Sequence, residues 1–321
     1  MLSPMNRVLA LHDGRAGNAR QATALARALA PDDAREFVLQ PNLAARRFAP
    51  RTWPLLSDPF GHSFRAGCEH PPHIAIGCGR QAALATRLLR ARGSQSVQIL
   101  DPRIDTRHWD LVVAPEHDSL RGDNVITTLG SLHPVDDRWL AQARKEAPQL
   151  AALPSPHTLL LVGGPTRHAA LDDAAFAALL AQLSAHALRE NGSFSMVASR
   201  RTPERWRAML TTVPADIPGI RWRDERDGPN PYAGLLAHAD RIVCTPDSVN
   251  MLSEAAATPA PVFVWSAGVA RGRLRIFLDA LRASRRVRGL DDALLPFAIE
   301  PLRETARVAA EVRRRLGLPL A

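Results

Sequence analysis

The sequence of 321 residues contains very little cysteine, lysine and tyrosine. Its three cysteines, Cys68, Cys78 and Cys244, cannot all pair, which argues against a disulfide scaffold and favours a reducing compartment. The single tyrosine, Tyr232, is not followed by a lysine at the YxxxK spacing that an NAD-dependent sugar epimerase requires. These shortages exclude a disulfide-rich secreted domain and argue against that class of epimerase.

Long apolar runs and aromatic side chains are also scarce. No stretch reaches the roughly 20 apolar residues that a membrane span needs, and the first residues show no basic start followed by a long apolar run. We therefore expect a cytoplasmic protein. Aromatic residues make up 5% of the chain and form no basic stripe, so the net charge of 41 − 32 = +9 does not predict a nucleic-acid partner.

Metal-binding spacings are missing as well. Between Cys68 and Cys78 two histidines are interrupted by Pro71 and Pro72, and no regular CxxC spacing occurs. No DxD-type metal motif lies between strands. The acidic pairs are expected at or before helix N-termini, where they favour the helix dipole: Asp32-Asp33, Asp136-Asp137 and Asp172-Asp173. The sequence predicts neither a metal ion nor another cofactor.

The sequence does contain a repeated alternation of short apolar runs with Ala- and Leu-rich helical patterns. The run 7–11 precedes a glycine-containing turn and a helical pattern, and the same order returns from residue 73. A second series starts after the proline-rich stretch 148–156. This alternation predicts parallel α/β sheets in two Rossmann-like lobes. We expect a first lobe of 1–150, a second of 151–300, and a C-terminal helix within 301–321 that crosses back to the first lobe.

In this architecture ligands bind at the carboxyl ends of the strands, near helix N-termini. The first such loop contains Asp13, the acidic side chain most suited to face a ligand, and glycines that allow close backbone approach. A tight turn without a ligand is the alternative interpretation. His117 lies in a second ionisable loop with Glu116 and Asp118. The other candidates near these strand ends are Gly14, Arg15, Gly17, Asn18, Gln21 and Arg80.

The second half places three polar loops after successive apolar runs. Gly163 and Gly164 would let the backbone approach a phosphate, and the loop 199–202 would supply hydroxyl and guanidinium groups to a diphosphate. Ser248 suits either a helix N-cap or a phosphate contact. The candidate residues of this half are Gly163, Gly164, Ser199, Arg200, Arg201, Thr202, Asn230, Tyr232, Asp247, Ser248, Ser253 and Glu254.

Together these segments resemble the Elongated Mitochondria, or mitochondrial-fission, family. The resemblance runs from about residue 9 to about residue 277. It rests on segments 13–18 with Gln21, 98–103 (QILDPR), 115–118, 163–165, 199–202, 230–232 and 247–248 with 253–254. Relatives often carry histidine where this sequence has Asn18, so a histidine base is not expected there.

The resemblance implies a GT-B-like fold in which the second lobe holds a nucleotide-sugar and the first lobe holds the acceptor. Bacterial members are described as glycosyltransferases and sometimes as nucleoside-diphosphate-sugar epimerases. We therefore predict a metal-independent glycosyltransferase of cell-envelope glycan or lipopolysaccharide synthesis. Arg200, Arg201 and the helix at Ser248 would stabilise the diphosphate leaving group. Glu254 would hold the ribose, with Asn230 and Tyr232 beside the base.

On the acceptor side Asp13 is the first candidate for the base and His117 the second. Two alternatives remain: a cofactor-free nucleoside-diphosphate-sugar epimerase, and a non-catalytic interaction protein. The aromatic and arginine-rich region 52–64 would suit a membrane surface that presents a lipid-linked acceptor at the inner membrane. A loop folded onto its own lobe is the alternative interpretation, and we favour it.

Overall fold

The structure, a computed structural model, describes residues 8–52, 58–291 and 293–319. It divides into two compact units. The first unit runs to Pro134 and resumes at Glu304, and the second comprises Val135–Arg303. Each unit contains a six-stranded sheet in which every strand pair is parallel, as the alternation of strands and helices predicted.

The sheet of the first unit has the strand order β2-β1-β3-β4-β5-β6. Its strands are β1 (Val8–His12), β2 (Ala34–Val38), β3 (Ile74–Cys78), β4 (Gln95–Ile99), β5 (Leu111–Pro115) and β6 (Val125–Thr128). Its helices before residue 134 are α1 (Ala16–Leu29), α2 (Leu43–Phe48), α3 (His62–Glu69) and α4 (Arg80–Arg90). The edge strand β2 was not predicted, because it is largely exposed and has no apolar run. In the first predicted strand, Arg7 lies outside the described residues.

The sheet of the second unit has the strand order β12-β11-β10-β7-β8-β9. The strands are β7 (His157–Val162), β8 (Ser193–Ala198), β9 (Arg221–Trp222), β10 (Arg241–Cys244), β11 (Val262–Val264) and β12 (Val287–Gly289). The helices are α5 (Asp137–Glu146), α6 (Asp173–Glu190), α7 (Glu204–Met209), α8 (Tyr232–His238), α9 (Val249–Ala256) and α10 (Arg273–Ala283). The central strands β7, β8 and β10 are buried throughout, as expected of strands covered on both faces.

The C-terminal helix α11 (Glu304–Leu316) belongs to the first unit, which confirms the predicted return. Its side chains Val308 and Val312 are fully buried in one core with Ala22 and Leu25 of α1. The Glu304 carboxylate accepts a hydrogen bond from the backbone N–H of Leu129 at 2.8 Å. The helix therefore closes the first sheet on the face that α1 also covers.

The boundary between the two units lies between Pro134 and Val135, before the proline-rich stretch 148–156 that we predicted as the linker. Leu140 and Ala143 of α5 pack with Ala237 of α8 in one buried cluster. A Cβ added to Gly234 of α8 would lie 2.6 Å from the Cβ of Ala147, so the chain after α5 is pressed against α8. The proline-rich stretch therefore lies inside the second unit.

Two of the three acidic pairs behave as predicted. The Asp136 and Asp172 side chains cap α5 and α6, each accepting a hydrogen bond from a backbone N–H at 2.7 Å. The prediction for Asp32-Asp33 was wrong, because this pair lies in a turn before β2 and no helix follows it directly.

The aromatic region 52–64 is partly placed by the structure. Phe60 and Phe64 are 3% and 4% exposed and pack edge to face, with ring centroids 5.0 Å apart. These two rings therefore belong to the core of the first unit and do not form an exposed membrane surface. Trp53, Leu55 and Leu56 lie outside the described residues. No helix in the described part of the chain is long and apolar enough to span a bilayer.

We expect the buried His157, at the start of β7, to make the stability of the folded chain sensitive to acid. Its ring is buried, with Nε2 2.8 Å from the Ser195 hydroxyl, and burial lowers its pKa below the ordinary value of 6.5. Below that pH the unfolded chain binds a proton that the folded chain excludes, so the free energy of unfolding falls on acidification. We expect His157→Asn to flatten the pH dependence of urea unfolding between about pH 5 and 7. Exposed His70→Asn is the control and should leave the slope unchanged.

Candidate functional site

Three predicted loops of the second unit meet at one edge of its sheet. They follow β7, β8 and β10, which are neighbours in the order β10-β7-β8. Because the strands are parallel, the loops after them leave from the same edge. The structure therefore brings together Gly163, the loop 199–202 and the turn at Asp247.

The Asp247 carboxylate is at the centre of this arrangement. Its side chain is fully buried and accepts a hydrogen bond from the Thr245 hydroxyl at 2.6 Å and from the Arg201 guanidinium at 2.8 Å. The Thr245 hydroxyl oxygen in turn accepts the backbone N–H of Gly163 at 2.8 Å. The buried carboxylate thus orients an arginine whose side chain is 51% exposed.

The Asp247 carboxylate lies so close to the backbone of residue 163 that only glycine fits there. A Cβ at this position would lie 2.1 Å from Oδ1 of Asp247, and the contact would be with a buried group that cannot move aside freely. A Cβ on Gly164 would lie 2.9 Å from the carbonyl oxygen of Arg201. The two glycines let the loops after β7, β8 and β10 pack without side chains between them.

The hydroxyl groups of the loop 199–202 form hydrogen bonds within the loop and with the end of β7. The Thr202 hydroxyl donates to the Val162 carbonyl at 2.8 Å and accepts the Ser199 N–H at 2.9 Å. The Ser199 hydroxyl oxygen accepts the N–H of Arg201 at 3.2 Å. These hydroxyls therefore shape the loop, and the guanidinium groups of Arg200 and Arg201 are the exposed polar groups that it presents.

Sequence reasoning missed two residues that build this edge. Thr245 links Gly163 to Asp247, as described above. Arg207 of α7 donates to the carbonyl oxygens of Ser199 and Thr202, at 3.1 Å each, and so holds the loop 199–202 from behind. Helix α7 begins just after the loop 199–202, so Arg207 lies only one helical turn beyond the loop. This short spacing is the signal in the sequence that could have suggested its role.

Helix α9 brings the remaining predicted residues close together. Ser248 caps its N-terminus by accepting the N–H of Met251 at 3.4 Å. The Ser253 hydroxyl donates to the Val249 carbonyl within the helix. Glu254 is 2% exposed and accepts the Tyr232 hydroxyl at 2.5 Å. Asn230 accepts the N–H of Tyr232 at 2.9 Å, which fixes the start of α8.

In the first unit Asp13 is held by Asn18. The Asn18 amide donates to Oδ1 of Asp13 at 2.9 Å, and the N–H of Arg15 donates to the same oxygen at 3.2 Å. Burial raises the pKa of the Cys78 thiol, so the thiol stays protonated and donates to the side-chain oxygen Oδ1 of Asn18, 3.6 Å from its Sγ. The thiol therefore fixes the amide orientation that points the NH₂ group at Asp13.

His12, directly before Asp13, is a further polar group at this strand end to which we assigned no role from sequence. Its Nδ1 accepts the backbone N–H of Gly14 at 3.1 Å, so Nε2 carries the proton and donates to Glu36 at 2.6 Å. The ring is 2% exposed, whereas the Glu36 side chain is 46% exposed. The sequence gives no signal for this pair, because Glu36 lies on the strand β2 that we did not predict.

The structure does not bring the two candidate bases together. Asp13 follows β1 and His117 follows β5, with β3 and β4 between them in the sheet. Three strand spacings separate them by roughly 14 Å. Gln21 donates to the Gly17 carbonyl at 3.3 Å within α1, and Arg80 donates to the carbonyl of Arg46. Each therefore stabilises local structure beside the Asp13 loop.

Within the ranges that the structure describes, no three His, Cys, Asp or Glu side chains are grouped to hold a metal ion.

Comparison with known proteins identifies the family. The model of the family described as mitochondrial fission ELM1 matches residues 16–316. The chain belongs to this family.

Two curated proteins are similar to this chain over most of its length. The mitochondrial fission protein ELM1 of Arabidopsis thaliana is 30% identical over 280 residues, which cover 77% of this chain and 64% of that protein. An uncharacterized protein of Rickettsia prowazekii is 23% identical over 293 residues, covering 77% of this chain and 81% of its own length. The chain thus spans less than two thirds of the plant relative.

Solved structures show the same fold at much lower identity. A UDP-GlcNAc 2-epimerase from Methanocaldococcus jannaschii, in complex with UDP-GlcNAc and UDP, has a TM-score of 0.52 and 10% identity, covering 97% of this chain and 100% of its own. Os79 from O. sativa, in complex with UDP, has a TM-score of 0.51 and 12% identity, covering 96% and 91%. The likeness confirms the predicted GT-B-like α/β fold of this family member.

Proposed function

We propose that this chain is a glycosyltransferase that binds a nucleoside-diphosphate-sugar in its second unit. The observation that carries the proposal is Arg201, half-exposed at the carboxyl edge of the sheet and oriented by the buried carboxylate of Asp247. A preorganised guanidinium suits a diphosphate, because it offers paired N–H donors without needing to reorganise. The two UDP-bound structures of similar fold support a nucleotide ligand.

The leaving group is the nucleoside diphosphate. As the bond between the sugar carbon and the diphosphate oxygen breaks, negative charge grows on that oxygen. Arg201, the exposed Arg200 and the N-terminal end of the α9 helix dipole supply positive electrostatic potential for this charge. The chemistry therefore needs no metal ion, and we expect nucleotide binding to survive EDTA.

In the proposed reaction the first unit supplies the groups that act on the acceptor. Asp13 is the base that takes the proton of the attacking hydroxyl, and Asn18 positions it. We place the acceptor among lipid-linked glycans and the protein at the cytoplasmic side of the inner membrane. His117 is the second candidate for the base.

A thermal-shift experiment tests the donor site. We expect UDP, GDP or CMP at millimolar concentration, with EDTA present, to stabilise the wild-type chain by about 2.7 kcal/mol when the ligand is 100-fold above its Kd. Arg201→Ala should remove this stabilisation, measured against the melting temperature of the same variant without ligand. Arg201→Lys keeps the charge and should retain part of it.

Arg205→Ala is the matched control, because Arg205 is an exposed arginine of the same unit, paired with Asp173 at its surface. It should keep the full nucleotide shift. If no nucleotide stabilises the wild-type chain, the proposal fails and a non-catalytic interaction protein becomes the better interpretation.

A cofactor-free epimerase is the second candidate, since a UDP-GlcNAc 2-epimerase shares the fold over nearly the whole chain. The two activities differ in what the donor becomes without an acceptor. An epimerase inverts one carbon of the nucleotide-sugar, which proton NMR detects as a second sugar signal set. A transferase forms no epimeric nucleotide-sugar and instead releases nucleoside diphosphate and free sugar by slow hydrolysis of the donor.

A further inference from the structure

Two loops at the carboxyl edge of the second sheet are joined to each other. One follows β7 and the other follows β11. The backbone N–H of Arg271 donates to the carbonyl oxygen of His168 at 2.8 Å, and Ala169 forms an antiparallel bridge with Ala270. Both alanines are buried, so the two loops are anchored where they meet. We call residues 166–169 and 270–272 the paired loops.

The paired loops lie beside the proposed donor site. Strand β10 is the neighbour of both β7 and β11, so the loops after these two strands flank the turn at Asp247 that follows β10. They leave the sheet at points roughly 10 Å apart, which is two strand spacings. Arg201 follows β8, on the far side of β7. The paired loops therefore adjoin the groups that we assign to the diphosphate without including them.

The paired loops present basic side chains in a stretch of chain that lacks acidic residues. Arg167 and Arg271 are exposed, and residues 163–171 and 262–278 contain no aspartate or glutamate. The next carboxylates along the chain are engaged elsewhere: Asp172 caps α6, Asp173 pairs with Arg205, and Asp279 pairs with Arg275. In the described part of the chain, no carboxylate forms an ion pair with Arg167 or Arg271.

His168 adds an oriented N–H group to these two guanidinium groups. Its Nε2 accepts the Nε–H of Arg167 at 2.9 Å, which places the ring proton on Nδ1. A Cβ at Gly272, directly before α10, would lie 3.8 Å from that Nδ1. Because Gly272 has no side chain, it does not cover this donor. The paired loops thus combine two guanidinium groups and a ring N–H donor.

A carboxylate is the ligand group that fits these donors. A guanidinium binds a carboxylate through paired hydrogen bonds, and a neutral hydroxyl group cannot accept both. A phosphate could accept them as well, but the diphosphate already has Arg200, Arg201 and the α9 dipole, after β8 and β10. The part of a nucleotide-sugar that extends beyond its diphosphate is the sugar. A carboxylate at the paired loops would therefore belong to the sugar.

We propose that the paired loops select a donor whose sugar carries a carboxylate, namely a uronic acid linked to a nucleoside diphosphate. This inference rests on the proposed donor site, which places the sugar beside the diphosphate. Arg167 and Arg271 bind the sugar carboxylate, and His168 donates its Nδ1–H to the sugar. A neutral hexose offers only hydroxyl groups at this position and leaves both guanidinium groups without a charged partner.

Calorimetric titration of the full chain with matched donor pairs tests the inference. The pairs are UDP-glucuronate with UDP-glucose and GDP-mannuronate with GDP-mannose, each with EDTA present. For the nucleotide that the wild type binds, we expect the uronate to bind roughly tenfold more tightly than the neutral sugar. Replacing Arg167 and Arg271 together by glutamine should bring the ratio of the two dissociation constants close to one. UDP or GDP alone should bind this variant nearly as it binds the wild type.

The matched control replaces Arg144 and Lys145 by glutamine, which removes the same charge from exposed positions of α5 in the same unit. It should keep the tenfold preference, because a general attraction of the anionic sugar to the basic chain is weakened equally in both variants. The ratio also cancels any change in the binding of the diphosphate that the two donors share.

Three results would overturn the inference. The first is a wild-type ratio near one, and the second is an unchanged preference in the variant of Arg167 and Arg271. The third is a loss of affinity for UDP or GDP alone as large as the loss for the uronate, because it would assign both arginines to the diphosphate. Failure of the donor site itself looks different: no nucleoside diphosphate, with or without a sugar, would bind the wild-type chain, and both proposals would fail.

Discussion

Gly163→Ala is expected to abolish the nucleotide-dependent thermal shift and to lower the free energy of unfolding by about 3 kcal/mol. The added methyl group would sit 2.1 to 2.5 Å from three atoms of the Asp247 carboxylate, well inside contact distance. That carboxylate must then move and lose its hydrogen bonds to Thr245 and Arg201 while remaining buried. Arg201 loses its orientation with it.

Gly268→Ala is the control for this prediction. Nothing lies within 4 Å of a Cβ at Gly268, whose backbone does not need a positive φ. We expect this variant to keep both its stability and its nucleotide shift. Urea unfolding measures the stability, thermal melting with and without nucleotide measures the shift, and calorimetric titration measures the nucleotide affinity. Full nucleotide affinity in Gly163→Ala would contradict the role assigned to Asp247.

Arg286→Met is expected to lower the free energy of unfolding by about 3 to 5 kcal/mol, because several buried carbonyl groups lose a charged donor. Arg286 is 2% exposed and donates to the carbonyl oxygens of Ala255, Ala256, Thr258 and Ala260 at 2.6 to 3.1 Å. No carboxylate among the described residues pairs with it. Burial lowers its pKa to about 10.

The position of Arg286 explains why such a charge is kept. Ala255 and Ala256 end α9, so the guanidinium sits at the negative end of that helix dipole and satisfies its last carbonyls. Removing it should loosen α9 and weaken nucleotide binding at the opposite end. We expect a fall in melting temperature of about 10 °C, whereas the exposed control Arg282→Met should change it little. A fall of the same size in that control would contradict the capping role.

The strand-end rule accounts for the position of three predicted loops at one edge of the second sheet. Gly163, Arg201 and Asp247 are far apart in sequence, yet each follows a buried apolar run, and parallel strands place such loops at one edge. The rule gives no strand order, however. It therefore could not show that Asp13 and His117 are separated by two strands, or that Glu36 reaches His12 from β2.

Hydroxyl groups were the least predictable members of the site. Thr202 was predicted to supply a hydroxyl group to a diphosphate, and Ser253 was among the predicted nucleotide-sugar-binding residues. The structure engages both with backbone carbonyls, since a short loop and a buried helix turn place such acceptors within reach. The sequence indicated no role for Thr245 or Arg286, because the link from Thr245 to Gly163 and the contacts of Arg286 with the end of α9 join segments that are far apart in the sequence.

The sequence by itself determined the alternation of strands and helices, the existence of the C-terminal helix and the loops where polar residues follow buried strands. These features depend on hydrophobic periodicity and on local turn residues, which neighbours along the chain define. Only the tertiary structure decided which polar groups are engaged and which face solvent. Burial of Asp247 and exposure of Arg201 depend on which strands and helices pack side by side, because burial is a property of neighbours in space.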